Sequence, residues 1–236
     1  MENNEWKSTI EYTNLKSPHS KDIKAMVEKA NNEKYYGVCL LPSDLGIANK
    51  YRSPELKLIT VAGFPPIRAY SMITDDPRRF ALALGYYKVE EVEKIKEIAN
   101  EELADELDII FPMFWYFKGY LLRITKFLTN IKKEYKKPLK VIIELGTIFR
   151  DEKMLWEISN ILQDSGIDYL KSNTGLIKQD YPTLLKYAKE ILHITKLPTK
   201  MSGGIRYESE VKELLSLGVK RIGTSGIADI GVTKYV

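Results

Sequence analysis

Short apolar runs alternate with amphipathic stretches from one end of the chain to the other. Eight of the runs read as strands, at residues 9–13, 36–41, 56–62, 106–112, 139–145, 167–172, 197–201 and 220–223. Most are apolar almost without interruption, as expected of parallel strands covered on the outside by helices. Between them, apolar positions recur every three or four residues through 21–34, 89–103, 120–135, 152–165, 181–193 and 208–217. That spacing predicts helices with one buried face. Gly166 and Gly218 stand just past two of these segments, where a left-handed residue ends a helix without a side-chain penalty.

Eight β-α units in 236 residues predict an α/β protein, a single (β/α)8 TIM barrel. A doubly wound open sheet is the competitor, and it commonly carries a glycine-rich turn after its first strand. Here that strand is followed by Asn14-Leu15-Lys16-Ser17-Pro18, without glycine, which favours the barrel. There is no linker, low-complexity segment or repeat beyond the β-α rhythm, so residues 1–236 are expected to form one domain.

Composition narrows the function classes. Hydrophobic residues make up 44% of the chain and charged residues 29%, ordinary for a globular protein. A net charge of +4, from 36 basic and 32 acidic residues, suits a small anionic substrate but not nucleic acid. The basic cluster at residues 132–137 reads as the solvated end of a helix. No apolar signal region opens the sequence and no run is long enough to span a membrane. With one cysteine, Cys39, no intrachain disulfide can form, and a cytoplasmic setting is expected.

In a barrel the active site collects at the carboxyl ends of the strands. Run six ends Asp168-Tyr169-Leu170-Lys171-Ser172-Asn173-Thr174-Gly175. A lysine there either snorkels outward or points into the barrel mouth; Thr174 and Gly175 open a loop suited to a phosphate. Run seven supplies a second lysine, Lys200, at the matching exit. Adjacent strands lie about 4.8 Å apart, so the two amines can approach closely. Each ammonium then disfavours the other, and an amine freed of its proton can attack a carbonyl. Asp108 is a lone carboxylate within the apolar run four. Burying it calls for a partner ammonium, in a simple salt bridge or a catalytic site. Glu144 at the exit of run five reads as a supporting charge.

Two glycine loops come late, Ser202-Gly203-Gly204 and Gly223-Thr224-Ser225-Gly226. Glycine lets backbone approach a ligand closely, and N–H groups opening a helix attract anions. Phosphate sites after strands seven and eight recur in barrels. Other candidates are weaker. Cys39 reads as a buried structural thiol beside the site. His19 and His193 are isolated, so no metal and no cofactor is expected. The aromatic run Phe114-Trp115-Tyr116-Phe117 reads as packing or as a pocket lining.

Several stretches together resemble the deoxyribose-phosphate aldolase family. They are Lys171-Ser172-Asn173-Thr174-Gly175, Lys200-Met201-Ser202-Gly203-Gly204-Ile205-Arg206, Lys140-Val141-Ile142-Ile143-Glu144 and Arg221-Ile222-Gly223-Thr224-Ser225-Gly226. Val38-Cys39-Leu40-Leu41-Pro42, Gly63-Phe64-Pro65 and Asp105-Glu106-Leu107-Asp108 add to them, in the family's order. The resemblance implies a metal-free class I aldolase that reversibly cleaves 2-deoxy-D-ribose 5-phosphate to D-glyceraldehyde 3-phosphate and acetaldehyde. It implies that Lys171 forms the Schiff base, that Lys200 frees that amine of its proton, and that Asp108 serves the proton relay. It also implies phosphate binding by Gly175, Gly203, Gly204 and Gly223, with Ser225 as a further donor, and a homodimer or homotetramer. The chain departs from the family's pattern at Glu11 and Tyr12, at Ile67, and in a longer segment over 66–88.

Competing readings are a Schiff-base aldolase for another phosphorylated sugar, a non-covalent phosphosugar isomerase on the same barrel, and a non-catalytic phosphosugar-binding protein. Tyr235 near the end of the sequence is a candidate minor proton shuttle. The expected partner is a small phosphorylated sugar, with no nucleic acid and no membrane.

Overall fold

A computed structural model describes residues 5–15, 20–64, 85, 89–99, 102–145, 152–177 and 179–227. Eight parallel strands close into a barrel in chain order, with the last pairing to the first. They are β1 (Ile10–Asn14), β2 (Gly37–Leu40), β3 (Lys57–Ala62), β4 (Glu106–Ile110), β5 (Leu139–Ile142), β6 (Tyr169–Lys171), β7 (Thr199–Ser202) and β8 (Arg221–Thr224). Each coincides with one of the eight apolar runs, shifted or trimmed by a few residues. The run at 139–145 is trimmed to Ile142, and two residues on Glu144 takes φ 45°, a left-handed backbone outside the strand region. The barrel is therefore the fold, and the open sheet is excluded.

The helices are α1 (Ser20–Asn32), α2 (Leu45–Asn49), α3 (Val89–Ala99), α4 (Met113–Phe117), α5 (Leu121–Glu134), α6 (Glu152–Asp164), α7 (Tyr181–Ile194) and α8 (Glu208–Ser216). Tight 3-10 turns occupy Glu5–Thr9 and Pro42–Asp44. The six longer helices match the periodic segments. The short α2 and α4 did not stand out, because a helix of five residues is too brief to establish a period. Local chemistry explains several boundaries. Asp180 caps α7 by accepting from Thr183 N at 2.8 Å, with Pro182 in the first turn. Gly166 and Gly218 take φ 73° and 109° after α6 and α8, the left-handed stops expected of them.

The aromatic run forms α4 and acts in packing. Trp115 meets Phe127 edge-to-face at 5.4 Å between centroids, and the Tyr116 hydroxyl donates to Glu157 at 2.6 Å. These contacts tie α4 to α5 and α6. The basic cluster at the end of α5 is solvated as expected, with Lys133, Lys136 and Lys137 exposed, and two of its lysines also make contacts. Lys132 pairs with Asp168, and Lys137 Nζ donates to the carbonyl of Glu102 at 3.0 Å. Asp168 in turn accepts from Leu139 N at 2.8 Å, as Asp105 accepts from Leu58 N at 2.8 Å. Each aspartate precedes one strand and bonds the N–H of the neighbouring strand, which helps set their register. Among the described residues, no helix is long and apolar enough to cross a membrane.

Strand side chains alternate between the helical layer and the barrel interior. Leu170 is fully buried within the apolar core, whereas its neighbour Lys171 reaches Asp108 inside the barrel. Leu170→Ala is expected to lower unfolding free energy by about 2–5 kcal/mol, the range for a buried leucine that leaves a cavity. Denaturant unfolding measures it, and retained activity in the folded fraction checks that the lysine face is undisturbed.

Candidate active site

The barrel interior holds six acidic and basic side chains on five strands. Glu11, Glu106, Asp108, Lys140, Lys171 and Lys200 are each no more than 4% exposed. Pairing register brings them together: Lys171 stands opposite Lys200, and Asp108 stands opposite Lys140. Asp108 is the hub. Its Oδ2 accepts from both Lys171 Nζ and Lys200 Nζ at 2.8 Å, while its Oδ1 accepts from Lys140 Nζ at 3.0 Å. Lys200 also contacts Glu11, and Lys140 contacts Glu106 and lies 3.5 Å from Glu11.

Three ammonium groups therefore face three carboxylates, a balance that makes burial affordable. Burial by itself would raise the Asp108 carboxyl, but Lys140, Lys171 and Lys200 outweigh it and hold the group well below the usual carboxylate range. Lys140 is the mirror case. Burial disfavours its charge, yet Asp108, Glu11 and Glu106 hold it well above the ordinary lysine value. Lys200 is likewise pulled down by burial and raised on balance by Asp108 and Glu11.

The structure thus unites Lys171, Lys200 and Asp108, as the sequence led us to expect. The partner ammonium sought for Asp108 proves to be three. Lys140, Glu106 and Glu11 were not singled out as site residues, although signals existed. Lys140 is a lysine within the apolar run Leu139-Lys140-Val141-Ile142, as Lys171 is in its own run. Glu106 and Asp108 are two apart on one strand, and so share a face.

Above this cluster lies a polar rim. Glu144 is buried, and its Oε2 accepts from Thr174 N at 2.8 Å. Burial raises the Glu144 carboxyl, with the Thr174 hydrogen bonds opposing. Thr174 Oγ1 accepts from Leu176 N at 3.1 Å, shaping the loop that holds Gly175. Gly203 sits beside that loop, where an added Cβ would lie 3.7 Å from the Gly175 Cα. Gly204 is pinned harder. It has φ 78°, and a Cβ there would meet the Gln179 carbonyl oxygen at 2.4 Å. Arg206 Nη1 donates to Ser225 Oγ at 2.5 Å, joining the loops after β7 and β8. Arg206 is an exposed cation at this rim that the site reading passed over.

One expectation changes. Gly223 lies within β8, in register with Ser202 and Glu11, rather than in the loop beyond. Its missing side chain makes room: a Cβ would stand 2.4 Å from Ser202 Oγ and 3.1 Å from Lys200 Cε. Ahead of α8, two backbone N–H groups are already taken. The buried Glu210 already accepts from Arg206 N at 2.8 Å and Tyr207 N at 3.1 Å. Cys39 is fully buried beside Leu15, Ile59 and Val61, and burial pushes its thiol up, as a structural cysteine requires. His19, Ile67 and Tyr235 lie outside the described residues, as does nearly all of the segment 66–88.

No family model matches the chain. Deoxyribose-phosphate aldolase from Caldicellulosiruptor saccharolyticus is 32% identical over 229 residues, covering 93% of this chain and 94% of that one. Among solved structures, QR15, an aldolase, superposes with a TM-score of 0.77 at 26% identity, over 94% of this chain and 91% of that one. Deoxyribose phosphate aldolase from Aeropyrum pernix, a tetramer, shares the fold at a TM-score of 0.69 and 23% identity, over 93% of this chain and 86% of that one. A closed barrel with two lysines meeting on one buried aspartate, in a sequence this close to a relative over nearly its whole length, is an aldolase, a carbon–carbon lyase, and belongs to the deoxyribose-phosphate aldolase family.

Proposed function

We propose that residues 1–236 act as one class I aldolase domain that cleaves 2-deoxy-D-ribose 5-phosphate reversibly through a Schiff base on Lys171. A graded set of contacts carries this reading. Among the described residues, Lys140 meets three carboxylates, Lys200 meets two, and Lys171 meets Asp108 alone. Lys171 has the fewest carboxylate partners of the three and stands last in its strand. Lys200 is held as an ammonium by two carboxylates and so carries a proton. Asp108 is held ionised by the lysines and so has oxygens that can receive one.

The chemistry balances with these parts. Lys171 first gives its ammonium proton to water at the barrel mouth; the neutral amine adds to the C1 aldehyde, and the carbinolamine loses water to give an iminium ion. Removing the C3 hydroxyl proton lets the C2–C3 bond break, with its electrons flowing into the iminium. Glyceraldehyde 3-phosphate leaves, and a neutral enamine remains on Lys171. Protonation at C2 and addition of water release acetaldehyde and regenerate the amine. Asp108 and Lys200 exchange the protons, with water as carrier.

Phosphate binding is assigned to the rim of Gly175, Gly203, Gly204 and Ser225, with the Arg206 guanidinium alongside. That grip is remote from the breaking bond and supplies orientation. Assembly as a homodimer or homotetramer belongs to the same reading. Leu122 is 88% exposed and Trp156 58%, on helices that pack together, and the Aeropyrum pernix relative is a tetramer. A cytoplasmic setting suits a buried free thiol such as Cys39.

Borohydride reduction in the presence of deoxyribose 5-phosphate is expected to trap a stable adduct on the peptide carrying Lys171, read by mass mapping. Lys171→Ala abolishes both trapping and turnover; Lys200→Met keeps the fold and loses rate by about 10²–10⁴-fold, the usual worth of a positioned proton donor. A protein that turns over substrate but never traps is an isomerase or a non-covalent enzyme. Gly204→Ala strains the rim by about 1–3 kcal/mol. It is expected to raise KM for the phosphorylated sugar roughly tenfold or more, with kinetics on unphosphorylated deoxyribose much less affected. Light scattering on the purified protein is expected to give the mass of two or four chains.

A further inference from the structure

Lys140 has no place in the mechanism above, yet it is the most heavily paired of the three lysines in the barrel. Its ammonium is fully buried, contacts Glu106, and sits 3.0 Å from Asp108 Oδ1 and 3.5 Å from Glu11 Oε1. It stands directly opposite Asp108 across the β4–β5 pairing. From below, Glu106 is itself held. It opens β4, and its Oε1 accepts from the Tyr36 hydroxyl, just ahead of β2. The Arg221 guanidinium, opening β8, stacks on the Tyr36 ring at 3.8 Å. A continuous line of contacts therefore runs Arg221, Tyr36, Glu106, Lys140, Asp108, from the strand beginnings up to the proposed chemistry.

We infer that Lys140, anchored by Glu106 and Tyr36, is a positioning residue: it grips one oxygen of Asp108 so that the other is presented to Lys171 and Lys200 together. This rests on the Schiff-base reading and adds to it a fixed post beneath the proton relay. Geometry makes the division of labour specific. Oδ1 goes to Lys140 and Oδ2 to the lysine pair. A carboxylate without the lower contact is free to rotate, and each rotation withdraws Oδ2 from one of the two amines.

The post also bears on charge during turnover. The proposed enamine stage leaves Lys171 neutral, so Asp108 loses one of its three cations. Lys140 and Lys200 remain to keep it ionised, and Lys140 is the one that exchanges no proton in the cycle. The groups facing Asp108 are Lys140 on β5, Lys171 on β6, Lys200 on β7, Glu11 on β1, Glu106 on its own strand and Cys39 on β2. Tyr135 adds a phenol near Lys140, and burial pushes that phenol up, so it stays protonated. Of these neighbours, only the lysines favour the charged form of Asp108.

The test is a pair of variants, assayed by cleavage of deoxyribose 5-phosphate against pH and by borohydride trapping. Lys140→Met alone leaves Glu106 buried without its cation and is expected to fold poorly. Lys140→Met/Glu106→Gln removes one charge of each sign and keeps the interior balanced. The double variant is expected to fold, to hold KM within a few-fold, and to lose kcat. The acid limb of its kcat profile is expected to move to higher pH by about one unit or more, the effect of removing one close opposite charge from a carboxylate. A merely structural Lys140 predicts that restored folding restores both kcat and the wild-type limb; that result overturns the assignment, as does a double variant that cannot fold. Trapping separates the two proposals. A wild-type protein that forms no Lys171 adduct defeats the Schiff-base reading, whereas an adduct with an unmoved acid limb in the double variant defeats the role of Lys140 alone.

Discussion

One carboxylate, that of Asp108, is shared among three ammonium groups in a space that water scarcely reaches. Removing an ion from water costs several kcal/mol even after relaxation, and only close, well-directed partners repay it. Had the interior held the lysines without Glu11, Glu106 and Asp108, at least one amine would be driven neutral or the strands would part. The balance of three against three lets a TIM barrel, whose interior is ordinarily packed with branched apolar residues, carry a charged centre. The helical layer outside can then be conventionally apolar, because the strands sort polar and apolar side chains to opposite faces.

The site consequently has two tiers with different physics. The lower tier is rigid and ionic, and its geometry is set by strand register. Lys171 faces Lys200 because β6 and β7 pair at those residues, and Gly223 leaves room for the Lys200 stem by having no side chain. The upper tier is built from loop backbone. Glu144, Thr174, Gly204, Gln179, Arg206 and Ser225 form it through hydrogen bonds and close approaches between loops after β5 to β8. A rigid lower tier favours fixed proton-transfer distances, and a polar loop tier favours recognition of an anion. That division matches a reaction in which binding energy is gathered far from the breaking bond.

Much of this was legible in the chain. The eight strands and six longer helices follow from hydrophobic period, and Gly166, Gly218, Asp180 and Pro182 mark their boundaries. Lys171, Lys200 and Asp108 stood out because a charge inside an apolar run needs a reason. The same logic applied to Lys140 and Glu106, but each was absorbed into a neighbouring motif and went unread. Glu210 was hidden differently. As an acidic residue in the first turn of a helix it looked generic, and only its bonds to Arg206 N and Tyr207 N show that it occupies donors otherwise open to an anion.

The sequence by itself determined which segments are strands and which helices, and, because strand side chains alternate, which residues within one strand face inward together. What it left open is how high each inward residue stands relative to those on other strands. That is decided by closure of the barrel, which fixes the stagger between neighbours only when β8 meets β1. Lys140 gathers three carboxylates and Lys171 one because of that stagger, and no pattern within a single run of residues encodes it.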